Sequence, residues 1–144
     1  MTSYALKTGI RNELKSTIEE VSWLSGKVYV NTWRTDASFP HVLIRWERDT
    51  PELELTNGTY KHSLVFGVVF RNTYPSNVID YDIIVSGVGA VEDKIIEYTT
   101  NYLSGNLGWE KAELGEVDYG YTSPGIAPEV VGEAYTSVTI TKET

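Results

Sequence analysis

His41 and His62 are the two imidazoles of a chain that contains no cysteine. A metal centre of the two-histidine, one-carboxylate type would have to gather both with one of Glu47, Asp49, Glu52 or Glu54, which lie near them in sequence. The usual ligand spacings are missing, and a histidine on a strand more often serves as a partly exposed packing residue. Nucleophilic catalysis has no better footing: there is no Gly-x-Ser-x-Gly elbow, and the serines fall in turns, at a helix start or on alternating strands. Asp80 with Asp82, and Glu92 with Asp93, would serve acid–base chemistry in a cleft that raised one pKa. Near a helix start such carboxylates more simply answer the helix dipole or face water. Ser86-Gly87-Val88-Gly89 lacks the third glycine and the Gly-Lys-Ser/Thr ending of a phosphate loop. No catalytic, cofactor-binding or metal-ligating residues are expected, and the chain reads as something other than an enzyme.

Composition narrows the class. At 144 residues and 16.1 kDa the chain fits a single domain, 1–144, long enough to build a core without staples. No signal peptide is expected, because Lys7, Arg11, Glu13 and Lys15 interrupt the first twenty residues, and no run approaches a transmembrane span. Use without export and without a membrane is the expectation. The charge is unevenly distributed. Through Arg71 there are nine Lys or Arg against eight Asp or Glu, and from Asn72 onward three against twelve, so the two parts carry +1 and −9. A net charge of −8 argues against a general nucleic-acid binder, which needs a basic face to displace counterions from phosphate. Four Trp and ten Tyr are many for one small core, and both types favour interfaces. Trp23, Trp33, Trp46 and Trp109 fall near element ends, and Tyr119, Tyr121 and Tyr135 are the better interface candidates.

The elements follow from periodicity. Leu6, Ile10, Leu14, Ile18 and Val21 recur at spacings of four and three, which predicts a helix capped by Ser3 and ended between Ser22 and Gly26, with Gly26 in the left-handed region. Lys27 to Trp33 and His41 to Arg48 read as strands on either side of a loop, Arg34 to Pro40. Asp49-Thr50-Pro51 reads as a turn, and Asn57-Gly58 as a hairpin turn after Leu53 to Thr56. Thr59 to Asn72 alternates longest, with Tyr60, His62, Leu64, Phe66, Val68 and Phe70 on one side. Such a strand is expected to project or to bend at Gly67. Asn77 to Leu103 reads as a helix whose start Gly87 and Gly89 weaken, unless they let it approach a sheet closely. Trp109 to Tyr121 and Val130 to Lys142 complete the set as strands. The order is α-β-β-β-α-β-β, an α+β fold with an antiparallel or mixed sheet and both helices packed on one face. The third and last strands look suited to edge pairing between copies.

Three stretches carry a family resemblance: the helix Ser3 to Val21 leading through Gly26 into Lys27-Val28-Tyr29-Val30; Phe39-Pro40-His41-Val42-Leu43-Ile44; and the second helix followed by acidic strands ending in Tyr135-Thr136-Ser137-Val138-Thr139-Ile140. In element order nearly the whole chain resembles the tail terminator, or tail-completion and head–tail joining, proteins of long-tailed phages and related viruses. The resemblance implies a tail-tube-like fold and a virion structural protein that needs no cofactor. It implies a homohexameric ring that caps the tail tube, ends its polymerisation and offers the head-joining surface of the neck. The implied partners are further copies of the chain, the tail tube protein and a head-completion or connector protein, with assembly in the host cytoplasm and residence in the virion tail or neck. The nearest alternative is another ring-forming neck or tail-tube component; a stand-alone ligand-binding α+β module is a more distant one.

A head-to-tail ring needs two different patches per subunit, and the unequal charge of the two parts offers them. The loops holding Arg34, Thr35, Asp36, Ser38 and Phe39, and Ser123, Pro124, Gly125 and Ile126, are the candidates for contacts between subunits or with tube and connector. Glu110, Glu113, Glu116, Asp118, Glu129 and Glu133 are the candidates for lining a channel through which DNA passes without sticking.

Overall fold

The structure, a computed structural model, describes residues 3–30, 38–53, 60–74, 80–100, 111–121 and 131–143. The first helix, α1, spans Ser3–Ile18, and its predicted stripe is the buried one: Leu6, Ile10, Leu14 and Ile18 are all in the core. It stops earlier than its periodicity suggests. At its end Glu20 and Val21 donate to the carbonyls of Thr17 and Ile18, three residues back, a tightening that leads into a short 3-10 turn, Ser22–Leu24. Gly26 has the expected positive φ, +72°. It closes that turn rather than α1, and its N–H donates to the Glu19 carboxylate at 2.8 Å.

Six strands form one sheet. They are β1 (Val28–Tyr29), β2 (His41–Leu53), β3 (Tyr60–Thr73), β4 (Lys111–Leu114), β5 (Asp118–Tyr121) and β6 (Val131–Glu143); helix α2 (Tyr81–Thr100) lies between β3 and β4. The sheet order is β1-β2-β3-β6-β4, with β5 also on the outer side of β6. β1 pairs parallel with β2 and every other pair is antiparallel, so the sheet is mixed and the fold is α+β.

The expected element order needs one correction after α2, where three strands stand in place of two. Leu114 pairs with Val138 and Asp118 with Tyr135, so Gly115, Glu116 and Val117 face only Thr136 and Ser137. The extra residue is a bulge. Gly115 fits because its N–H donates to the Ser137 carbonyl at 2.7 Å and its own carbonyl accepts from the Thr136 hydroxyl at 3.1 Å. A side chain at 115 would meet the Ser137 hydroxyl.

Two further expectations change. Asp49-Thr50-Pro51 does not turn: β2 continues through it, with Pro51 paired opposite His62. Proline, which has no N–H to give, is tolerated there because no described strand pairs with the other side of β2 at this point. The long β3 neither projects nor bends alone. β2 and β6 flank it along nearly its whole length, and the irregularity lies in β2, where the register shifts between Trp46 and Arg48, opposite Phe66 and Val65. β3 and β6 are therefore interior strands, and among the described residues the free edges belong to β1, to β2 from Ile44 onward, and to β4 and β5. The predicted hairpin turn Asn57-Gly58 lies outside the described residues.

Both helices cover one face of the sheet. Register puts Val42, Ile44, Leu64, Phe66, Val68, Phe70, Ala134, Val138 and Ile140 on that side, and all are buried together with Ile84, Val88, Val91 and Ile95 of α2. α2 approaches closely at Gly87, where a side chain would run into the Phe70 ring. Gly89 faces open space, so the expectation of close packing holds for one glycine of the pair.

Candidate functional site

The other face, on which no described helix lies, is built by the residues that alternate with the core; Leu43 and Val69 there are buried nonetheless. Register places His41, Leu43, Val65, Gly67, Val69 and Arg71 there with Glu133, Tyr135, Ser137 and Thr139 of β6. At its β1 end a small aromatic group forms: His41 is buried, stacks on Phe39 at 5.0 Å and meets the edge of Tyr29 at 6.0 Å. The guanidinium of Arg71 lies 5.8 Å from the Phe39 ring centre. Burial lowers the pKa of His41 from its ordinary value; its hydrogen bond to the Ser38 carbonyl opposes this, and the charges of Arg71 and Lys27 add to the lowering.

Farther along this face Arg45 bonds Glu47 at 2.6 Å and lies over the Tyr135 ring at 5.2 Å. The Glu47 bond is the main reason the guanidinium pKa stands above its ordinary value. Glu47 is the extra residue of the β2 bulge, and its carboxylate fills the space that a side chain at Gly67 would need. The four described channel candidates gather near the other edge. Glu113 stands opposite Thr139, Asp118 opposite Tyr135, and Glu133 lies on the same face. Glu116 is in the bulge between β4 and β5, and all four are exposed. Glu133 is within 3.4 Å of Arg71.

The helix-covered face reaches solvent at two rims. At the β2 rim Trp46 is 47% exposed, held by Phe66 at 5.2 Å and by the buried Arg11 guanidinium 5.2 Å from its ring centre. Beside it Lys7 pairs with Asp49 at 2.6 Å, and Asp49 pairs with the ring of His62 at 2.9 Å. Burial alone would raise the Asp49 pKa. The Lys7 and His62 hydrogen bonds outweigh it and hold the carboxylate below its ordinary range. At the opposite rim Tyr121 packs edge-on against Tyr81 at 4.8 Å and Tyr74 at 6.3 Å. Burial, chiefly, raises the phenol pKa of Tyr74 and of Tyr121. Tyr119, its neighbour but one, is 43% exposed.

The two histidines do not converge. His41 is on the face away from the helices and His62 on the helix-covered one, separated by nine positions of register along β3, about 30 Å at the rise of a strand. Among the described residues no group of three or more His, Asp or Glu is placed to hold a metal ion. Asp80, considered above as half of an acid–base pair, caps α2: its carboxylate accepts from the Asp82 N–H at 3.1 Å. Of the loop candidates, Ser38 is exposed and Phe39 is half-buried on His41. Arg34, Thr35, Asp36, Ser123, Pro124, Gly125 and Ile126 lie outside the described residues, as do Glu110, Glu129, Trp33 and Trp109. The sequence set Trp46 near an element end, where a ring can bridge core and rim; it stands inside β2, which runs on to Leu53, and still reaches the rim. The available signal was a tryptophan among Arg45, Glu47 and Arg48, too many charges for an ordinary interior strand.

Fold and site together define an α+β protein in which, among the described residues, helices cover one sheet face, the other bears acids near an edge, and strand edges at both sides are unpaired. Neither protein-family models nor curated proteins gave a match to this chain. Among the described residues no helix is long and apolar enough to cross a membrane.

Proposed function

We propose that this chain is a virion assembly protein of the tail-terminator kind, forming a homo-oligomeric ring, six copies by the resemblance, on the end of a tail tube. There it stops tube polymerisation and offers the surface to which a head-completion or connector protein joins. The observation that carries the reading is the tile-like subunit: among the described residues, both helices on one face, no helix on the other, and an unpaired strand edge on each side of a single sheet. A ring of such tiles with the face away from the helices turned inward would set Glu113, Asp118 and Glu133 toward the channel. Carboxylates there repel phosphate, so DNA passes without being held.

The reaction assigned to the protein is association, and its specificity resides in surfaces. The experiment supplies tail tubes of the virus that encodes the chain, incubates them with the purified protein, then adds fresh tube subunits. Electron microscopy is expected to show a ring on one tube end and no further growth from it. Continued elongation with no bound ring would refute the capping role. Binding without arrest would instead favour the alternative of another neck or tail-tube component.

A further inference from the structure

The two edges of the sheet match each other, and we infer that the β2 edge of one copy receives the β4–β5 edge of the next, extending the sheet across the boundary. The inference rests on the ring reading above and names its contact. β1 covers β2 only at Val42 and Leu43, so from Ile44 to Leu53 no described strand lies on that side. β4 and β5 occupy the outer side of β6, and no described strand lies beyond them.

Direction fits first. β3 runs opposite to β2, β6 opposite to β3 and β4 opposite to β6, so β4 is antiparallel to β2. A neighbour in the same orientation therefore presents an antiparallel partner, the pairing used by the rest of the sheet apart from β1. The contact is head-to-tail, between two different patches, as a ring requires. Bulges at Glu47 and at 115–117 keep the matching ladders short, which limits the registers available.

Each face then fits its counterpart. On the face without helices β2 offers Arg45, Glu47 and the exposed Arg48, net +1, while Glu113 and Asp118, with Glu116 in the bulge between them, sum to −3. On the helix-covered face β2 offers the half-exposed Trp46, and the neighbour offers Tyr119 with the half-buried Leu114. Trp46 is already fixed by Phe66 and Arg11, so its docking orders little that is free. Rigid aromatic anchors beside arginine are the usual strong points of an interface.

A neighbour set four positions along β2 brings Asp118 level with Arg48 and Tyr119 level with Trp46 and keeps β5 clear of β1. Two charge reversals at the exposed first pair, Arg48→Glu and Asp118→Arg, test that contact. Each variant alone sets like charges against each other across every boundary. A one-to-one mixture can alternate around the assembly with all boundaries complementary. Native mass measurement across a dilution series is expected to show wild-type assemblies. Each variant alone should need on the order of tenfold more protein to assemble, and the mixture should return toward wild type. Thermal melting checks the fold of each variant, and Arg48→Gln with Asp118→Asn gives a milder pair in which each change weakens assembly if a reversal unfolds the chain. Wild-type-like assembly of either variant, or no recovery on mixing, would overturn this contact and leave the capping reading to its own experiment. A wild-type chain that never assembles would overturn both.

Discussion

Gly87 and Gly89 lie two positions apart on α2 and answer to opposite demands. Gly87 is pressed against Phe70, whereas nothing stands within 4 Å of a side chain added at Gly89. Gly87→Ala is expected to destabilise the fold by about 1–3 kcal/mol through overpacking. Gly89→Ala is expected to stabilise it by up to about 1 kcal/mol, since alanine is the better helix former. Urea unfolding midpoints read both. In sequence the pair is symmetrical, and only the ring of Phe70, arriving from a distant strand, tells the two apart. Acid acts through His41 and Asp49. The folded pKa of His41 lies below its ordinary 6.5, so the unfolded chain takes the proton first, and stability falls as the pH drops through that value. It stops falling from this source once the folded pKa is passed. Asp49, held below its ordinary 3.8, contributes stability above that value and loses it as the pH falls through its lower folded pKa. Stability measured against pH should therefore decline in two steps, and His41→Gln should remove the upper one, which sets in as the pH falls through 6.5. An unchanged upper step in that variant would show that His41 does not carry it. The imidazole pairing of Asp49 was within the range of nearby carboxylates visible in sequence; the lysine on its other oxygen came from a helix 42 positions earlier.

At the scale of elements, α1 and the buried side of β3 were legible because their spacing of four and of two is imposed by burial on one side. Boundaries were less so, since they depend on local bonds that periodicity does not register. The second helix reads from Asn77 by pattern, yet Asp80 caps it and Tyr81 is its first residue. Asp80→Ala is expected to cost about 1 kcal/mol, measured by denaturant unfolding; no change would mean that α2 is capped by another group. Pro51 shows how a strong local signal loses to position, because a proline that would break an interior strand is harmless on a side of β2 where no described strand needs its N–H. Gly115 shows the converse. Its strand pattern continues to Tyr121, but the extra residue opposite Thr136 and Ser137 divides the run into β4 and β5. Nothing in the alternation of 109–121 marks that division; it follows from the register fixed by β6.

For the whole molecule, the sequence separated a near-neutral first part from an acidic second part, and folding turns that division into geography. β2 carries its charges at one side of the sheet, and Glu113, Glu116 and Asp118 stand at the other. The edges themselves were misread, because strand order is a long-range property: β3 and β6 look suited to edges in sequence and lie innermost in the sheet. With charges at its boundaries, the proposed assembly should loosen as salt rises and charge attraction is screened. The mass of the native protein in solution, followed over dilution at low salt, tests the account most directly. A closed species of fixed copy number, six chains of 16.1 kDa, persisting over a range of concentration is the predicted result. A single chain at every concentration, unchanged when tail tubes are added, would contradict it.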